Sequence, residues 1–331
     1  MDALEPSNSI KLVIYYASYL YFPASVILVT IITRAKGVAV FASALVFICL
    51  SILAYARFVE PRILLTKTHD ITLERCFAEA GSLRLAVFSD THNGIFGNAM
   101  PIVRIARRVE RIKPDAVLVA GDFTYHPDSA QLLQTYAAFN EIAAPVLGVF
   151  GNHDVGFPGP DLTAPLTGAL TRNNVSIIDN RKLFINKGGR RVELIGISDE
   201  WQDQQRLSLI TPDAPYPRIV LTHNPATVLN ISVRTPVDLL IAGHTHGGQI
   251  YIPFVTCKIV SFACRIVRYG FSAQKRAVVF VTSGTGMVGL PMRFNMAPRI
   301  DVVTVRYNSC RENRRAAAAE IIGEKRHVPE R

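Results

Sequence analysis

The chain is 331 residues long, 49% hydrophobic and 19% charged, and its 36 Lys and Arg outnumber 26 Asp and Glu to leave a net charge of +10. That length accommodates one domain of roughly 250 residues plus a separate module, and the basic balance favours anionic lipid headgroups or phosphorylated substrates as partners. Five cysteines, scattered at 49, 76, 257, 264 and 310 without a C-x-x-C pair, exclude a thiolate metal site and give no disulfide framework, so reduced thiols are expected.

Residues 10–33 carry a single charge, Lys11, and residues 37–56 carry none. Each run reaches the roughly 20 residues that span a bilayer, and Arg34-Ala35-Lys36-Gly37 between them suffices only for a tight turn. A transmembrane hairpin is therefore expected over 1–60, with helices at about 10–33 and 37–56. A cleaved leader fits poorly, because the first run is too long, lacks a basic start and is followed by a second. Lys11, Arg57, Arg62, Lys67 and Arg75 outnumber Arg34 and Lys36 in the turn, which places both ends on the cytoplasmic face of the inner membrane as a multi-pass protein. The aromatic cluster Tyr15, Tyr16, Tyr19, Tyr21 and Phe22 reads as lipid and interface contact.

Residues 61–82 read as a connector. From 83 to 307 short β-rich runs alternate with helical patterns: LRLAVFS (83–89), a helix near 99–112, DAVLVAG (115–121), a helix near 129–143, and PVLGVFG (145–151). Later runs at 175–179, 192–197, 218–223, 237–244, 248–253, 277–284 and 300–305 have less helix between them, which suits an α/β sandwich of two mixed sheets. Within 102–112, Ile102, Ile105, Ala106, Val109 and Ile112 recur at helical spacing and leave the arginines on a solvated face. The charged segment 308–331 reads as a mobile tail or a short surface helix.

Five of these runs end in polar residues of the metal-binding type. Asp90 and His92 follow the first, Asp122 the second, Asn152, His153 and Asp154 the third, His223 the fourth, and His244 and His246 the fifth. Residues two apart at a strand end can converge on one face, and strand C-terminal ends are where α/β sheets hold ligands. Singly, each has a structural explanation: a turn acid at Asp122, an Asx turn at Asn152, a core histidine at 223. Five together do not reduce to turn chemistry.

D-x-H, G-D, G-N-H-D, a lone His and G-H-T-H, in that order over about 83–306, resemble the calcineurin-like metallophosphoesterase family. "GHTHGGQI" and "SGTGMVGLPMRFN" further resemble a bacterial, often membrane-anchored branch similar to the hydrolases of UDP-2,3-diacylglucosamine in lipid A synthesis. The resemblance implies a four-layer sandwich and two divalent metal ions, Mn²⁺ first and Fe or Zn²⁺ also accepted by oxygen and imidazole donors. It implies that Asp90, His92, Asp122 and His246 hold one ion while Asp122, Asn152, His223 and His244 hold the other. Asp122 would bridge two cations about 4 Å apart, which together clamp the phosphate oxygens. His153 would stand near the leaving-group oxygen, with Asp154 orienting and charging it.

Arg293 is read either as a substrate-phosphate contact or as a surface salt-bridge partner, and Asn93 and Asn224 adjoin the motifs. Every implied ligand lies beyond residue 89, so the hairpin is expected to localise the site rather than to help build it. The activity expected is hydrolysis of a phosphodiester or pyrophosphate bond in a lipid-linked substrate, with membrane lipids as partners. A nuclease is the weaker enzyme reading, since no basic groove with interleaved aromatics is visible and nucleic acid is an unlikely partner for an anchored enzyme. A silent membrane scaffold would have lost a ligand, and none is missing.

Overall fold

A computed structural model describes residues 8–311 apart from 98, 203, 260 and 261; of the expected tail at 308–331, residues 308–311 are tied into the domain through Ser309 and Cys310, and 312–331 lie outside the described residues. Two helices, Asn8–Arg34 and Val38–Arg62, are each long and apolar enough to cross a membrane. The first tightens to a single 3₁₀ turn at Ser18–Leu20 just before Pro23. There the proline falls in the opening turn of the second stretch, Tyr21–Arg34, where its missing N–H breaks no helical bond. Gly37 at φ 59 turns the chain back, a left-handed conformation that costs glycine nothing.

The domain that follows the hairpin is built from β1 (Leu65–Thr72), β2 (Gly81–Phe88), β3 (Asn93–Gly94), β4 (Ala116–Ala120), β5 (Thr124–Tyr125), β6 (Val146–Val149) and β7 (Val175–Ile177), followed by β8 (Arg181–Lys187), β9 (Arg190–Gly196), β10 (Arg218–Leu221), β11 (Leu239–Ala242), β12 (Gly270–Ala273), β13 (Val278–Val281) and β14 (Arg299–Tyr307). One six-stranded sheet runs β1-β14-β2-β4-β6-β7 and the other β12-β13-β11-β10-β9-β8. In the first only β14 against β2 is antiparallel, and in the second only the outer pairs β12–β13 and β8–β9.

The alternation of side chains assigns each face. Leu83, Leu85, Val87 and Leu118 of the first sheet meet Ile219, Leu221, Leu239, Ile241 and Phe280 of the second in a dry layer between them. Ala86, Phe88, Val117 and Val119 face the other way, under Ile102, Ile105 and Val109 of the helix Ile102–Ile112. Ile195, Val220, Leu240 and Val281 form the outer layer of the second sheet, closed by the short helix Phe262–Ile266 and the 3₁₀ turn Pro225–Leu229. This is the mixed α/β sandwich flanked by helices that the run pattern predicts.

Three expectations change. The supposed connector 61–82 contains β1, which pairs in parallel with β14 from Leu65↔Arg299 to Thr72↔Arg306, so the first sheet extends to the foot of the hairpin. The hairpin is built into the domain: Glu60 accepts from the backbone N–H of Asn295 and Met296, Arg293 N–H donates to Ala56 O, and Tyr15 stacks on Phe96 at 5.9 Å. Lys11 and Arg57, counted as interfacial charges, are both buried, with Arg57 lying over the Tyr15 ring at 4.3 Å and its Nε 3.0 Å from Ser18 Oγ.

The thiols are paired: Cys76 bonds Cys310 and Cys257 bonds Cys264, leaving Cys49 as the free cysteine among the described residues. The first pair is 234 residues apart in sequence and meets because Phe77 bridges Ser309 where the two ends of the domain come together. No spacing rule reaches that far. Maleimide labelling of the denatured protein should therefore modify one cysteine, Cys49, without reductant and all five after reduction. Five labelled without reductant would contradict both disulfides.

Candidate metal centre

The parallel strands aim their C-terminal ends at one point. β2 ends before Asp90 and His92, β4 before Asp122, β6 before Asn152 and His153, β10 before His223, and β11 before His244 and His246. The chain leaves each strand through a sharp turn, and Asp90, His92, Asp122, His244 and His246 all have positive φ, from 43° to 69°. Five non-glycine residues in a left-handed conformation is strain of the kind concentrated at functional sites. Neighbouring turns hold it in place: Asp90 N–H donates to Gly121 O, His92 N–H to Asp122 O and Gly243 N–H to His223 O.

The side chains form two groups that share a carboxylate. In the first, His92 Nε2 stands 2.9 Å from His246 Nε2, and Asp90 Oδ1 is 4.0 and 3.5 Å from those nitrogens. In the second, Asn152 Oδ1 lies 3.1 Å from both His223 Nε2 and His244 Nδ1, themselves 3.1 Å apart. Asp122 joins them. Its Oδ1 accepts the backbone N–H of His153 at 3.0 Å, while its Oδ2 sits 3.5 Å from His92 Nε2 and 3.2 Å from His223 Nε2.

Supporting bonds orient these donors inward. His223 Nδ1 meets Ala120 O at 2.8 Å, which puts the proton there and leaves the Nε2 lone pair facing the centre. The Asn152 amide donates to Phe157 O, which fixes its oxygen toward the two imidazoles. Ser89 Oγ donates to Asp90 Oδ2, and His244 N–H is 3.2 Å from both Asp90 oxygens.

The electrostatics of the bare donor set are one-sided. Burial pushes the Asp122 carboxyl up to about 7 and raises that of Asp90. Burial, reinforced by neighbouring imidazoles, holds His92 and His244 well below the ordinary range; for His246 the guanidinium of Arg293 adds to burial ahead of its neighbouring imidazoles. At His223 burial acts the same way but is outweighed by the carboxylates of Asp122 and Asp90, which raise it. Lone pairs facing lone pairs at about 3 Å, with buried carboxylates between them, are a donor set that divalent cations fit. Only oxygen and nitrogen donors are present, which suits Mn²⁺, Fe or Zn²⁺.

His153 and His244 are the partly exposed members, so the centre opens on their side. Burial, then the charge of His223, lowers His153 to about 3, which keeps its imidazole neutral. Asp154 does something other than charge that ring. Its carboxylate accepts from Phe123 N, Thr124 N, Thr124 Oγ1 and Gly151 N at 2.9–3.1 Å, so it fixes the turns that carry Asp122 and His153. Arg293 likewise is neither a phosphate contact nor a surface partner. It is fully buried, and its guanidinium donates to the carbonyls of Gly286, Ser283 and Met296. Asn224 caps the 3₁₀ turn Pro225–Leu229 and donates to Glu200 at 2.9 Å, and Asn93 lies in β3, beside the site.

The sequence reading missed Tyr125. Its buried ring packs edge-on against His92 at 5.4 Å and His153 at 5.1 Å, and Lys11 Nζ lies 4.7 Å over it. The one available signal was its place three residues beyond Asp122. The first apolar helix thus reaches the wall of the centre, and the hairpin does not merely localise the site.

The profile of calcineurin-like phosphoesterases matches residues 83–248, half of the chain and all of the strand ends just described. The chain belongs to the calcineurin-like phosphoesterase family. It is a metal-dependent phosphoester hydrolase. It is 28% identical over 265 residues to the uncharacterized metallophosphoesterase YkuE of Bacillus subtilis, covering 76% of this chain and 89% of that protein. It is 28% identical over 205 residues to the phosphodiesterase YaeI of Escherichia coli, covering 60% and 73%. A transmembrane protein with metallophosphoesterase domain from Danio rerio is 26% identical over 260 residues, 71% of this chain and 55% of that protein.

Within this family fold the tightest constraint on the centre is at Gly151, where an added Cβ would sit 2.1 Å from Asp122 Oδ1 and 2.6 Å from Asp122 N. Gly151→Ala should therefore displace the shared carboxylate and lower bound metal by mass spectrometry. Leu118 and Leu221 are untouched, so the far-ultraviolet circular dichroism should not change. Full metal content in Gly151→Ala would show that Asp122 is not held as described.

Proposed function

We propose that this phosphoesterase is a membrane-anchored phosphodiesterase acting on a phosphodiester or pyrophosphate bond of a lipid-bearing substrate, with Mn²⁺ as its resident metal. The observation that carries this reading is the contact of Lys11 and Tyr125, because it puts the first apolar helix against the rings that flank the centre. A substrate drawn from the bilayer would meet the metals without leaving the hairpin's surface. Lys11, Arg57 and Arg293 are all buried, so they offer no exposed cationic track for a nucleic acid.

Asp90, His92, His246 and Asp122 would hold one ion, and Asp122, Asn152, His223 and His244 the other. Two such ions, when bound, polarise the phosphoryl group and supply a nucleophile at neutral pH. The protein's own part is positional. Asp122 is fixed by the His153 N–H so that one oxygen serves both groups, and Asp154 holds the two turns in register. The neutral His153 ring, at the open side and steadied by Tyr125, would donate an N–H hydrogen bond to the leaving oxygen and stabilise its growing negative charge as the P–O bond breaks, the proton for that oxygen coming from solvent.

The disulfides bear on orientation. Counting Lys and Arg favours the cytoplasmic face of the inner membrane by three residues, a statistical bias, whereas disulfides persist only where the compartment is oxidising. We therefore place the catalytic domain on the exoplasmic face of that membrane.

His153→Ala should lower kcat by roughly 10²–10³ on a diester with an alkoxide leaving group, with metal content unchanged. The loss should be far smaller for bis-p-nitrophenyl phosphate, whose leaving phenolate already spreads its charge over the ring and needs little stabilisation. Equal losses on the two substrates would remove His153 from that role, and turnover of UDP-2,3-diacylglucosamine compared with glycerophosphodiesters would identify the lipid-bearing substrate.

A further inference from the structure

The 52 residues from Gln249 to Ile300 contain no Asp or Glu and seven Lys or Arg, a bias that the chemistry at the centre does not use. Within them Ile252, Phe254, Val255, Ile259 and Phe262 stand exposed on one short stretch, Phe254 at 90%. Phe254 has φ 65, a conformation rarely kept by an aromatic residue. The stretch is built rather than frayed. Thr256 Oγ1 donates to Ile250 O and accepts from Ile252 N–H, both at 2.8 Å, and the Cys257–Cys264 disulfide ties the helix Thr256–Ile259 to Phe262–Ile266.

Its position is fixed by the strip that also seats the hairpin. Ile250 bridges Phe294, Tyr251 N–H donates to Phe294 O at 2.8 Å, and Asn295 Nδ2 donates to Tyr251 O. The backbone N–H of the same Asn295 donates to Glu60, at the end of the second apolar helix. The exposed apolar side chains therefore emerge one residue's hydrogen bonds away from where that helix ends. Lys258 and Arg265 flank them in exposed positions, and Arg268 packs over Tyr251 at 3.7 Å.

We propose that Ile252, Phe254, Val255, Ile259 and Phe262 form a membrane-inserting knuckle that enters the leaflet next to the hairpin, with these side chains among the acyl chains and Lys258 and Arg265 at anionic headgroups. The inference rests on the proposed membrane anchoring, not on the proposed chemistry. Apolar side chains rimmed by Lys and Arg, continuous with a spanning helix, are the features of an interfacial anchor. The knuckle is fastened to the metal centre as well: Thr245 Oγ1 donates to Arg268 O at 2.6 Å, and Arg268 donates to Gly247 O at 2.7 Å, on either side of His246. Insertion would thus set the height of His244 and His246 above the bilayer.

The test uses the full chain in vesicles of phosphatidylethanolamine and phosphatidylglycerol with brominated acyl chains. Trp201, the single tryptophan, is first replaced by Trp201→Phe, and one reporter indole is introduced at a time. Phe254→Trp should lose emission relative to unbrominated vesicles to the same extent as Phe41→Trp within the second helix. Phe184→Trp, on the far edge strand β8, should lose none. An unquenched Phe254→Trp beside a quenched Phe41→Trp overturns the knuckle, and quenching equal at 184 and 254 overturns it too. An unquenched Phe41→Trp overturns the membrane anchoring and the knuckle with it. Hydrolysis of bis-p-nitrophenyl phosphate by each variant verifies folding, and its absence from the parent protein would overturn the phosphoesterase chemistry alone.

Discussion

The catalytic domain depends on one buried carboxylate shared between two clusters of donors. Asp122 gives one oxygen to the His153 N–H and presents the other to His92 on one side and His223 on the other. A carboxylate in that position is costly unless positive charge compensates it. The surrounding architecture follows from meeting that condition: strand ends from both sheets converge, glycines at 121, 151 and 243 let backbone approach within reach, and Asp154 satisfies the N–H groups of the turns. Five left-handed residues are tolerated because two hydrophobic layers hold the strands that lead into them.

The hairpin is part of this arrangement. Glu60 fastens its second helix to the Asn295–Met296 backbone, and the fully buried Arg293 holds the loop 283–296 from beneath. Arg293 sits close enough to Asp90 and Glu60 for both charges to act on it, although burial still lowers it to about 10. The foot of the second apolar helix and the first donor group are therefore linked by one arginine. The same strip seats the exposed segment around Phe254, so the apolar hairpin, that segment and the metal side of the domain share a scaffold.

How much could be read from the sequence depended on whether the signal was local. Strands at 83–89, 115–121 and 145–151 were visible because each is a short, mostly apolar run ending in a polar turn, and the candidate donors were visible because those turns carry them. The amphipathic helix was legible from Ile105, Ala106 and Val109. Contacts between distant segments left no such trace. β1 is polar and mostly exposed because it is the edge strand of the first sheet, and it read as a connector. Cys76 and Cys310 are joined by topology, Lys11 reaches Tyr125 through the docking of the hairpin, and Arg293 faces carbonyls of residues that fold over it. Asp154 was assigned to its sequence neighbour His153, whereas its carboxylate turns back to the strand end at 123–124.

The shared carboxylate is tested most directly by electron paramagnetic resonance of the purified, manganese-loaded full chain, with metal content measured on the same samples. The unsubstituted protein should bind two ions and give an exchange-coupled signal, because a carboxylate shared by both donor groups would hold the ions close together. Asp122→Ala should lose the coupled signal and most of its metal, retaining at most an isolated ion. An Asp122→Ala protein that still holds two coupled manganese ions would contradict the account.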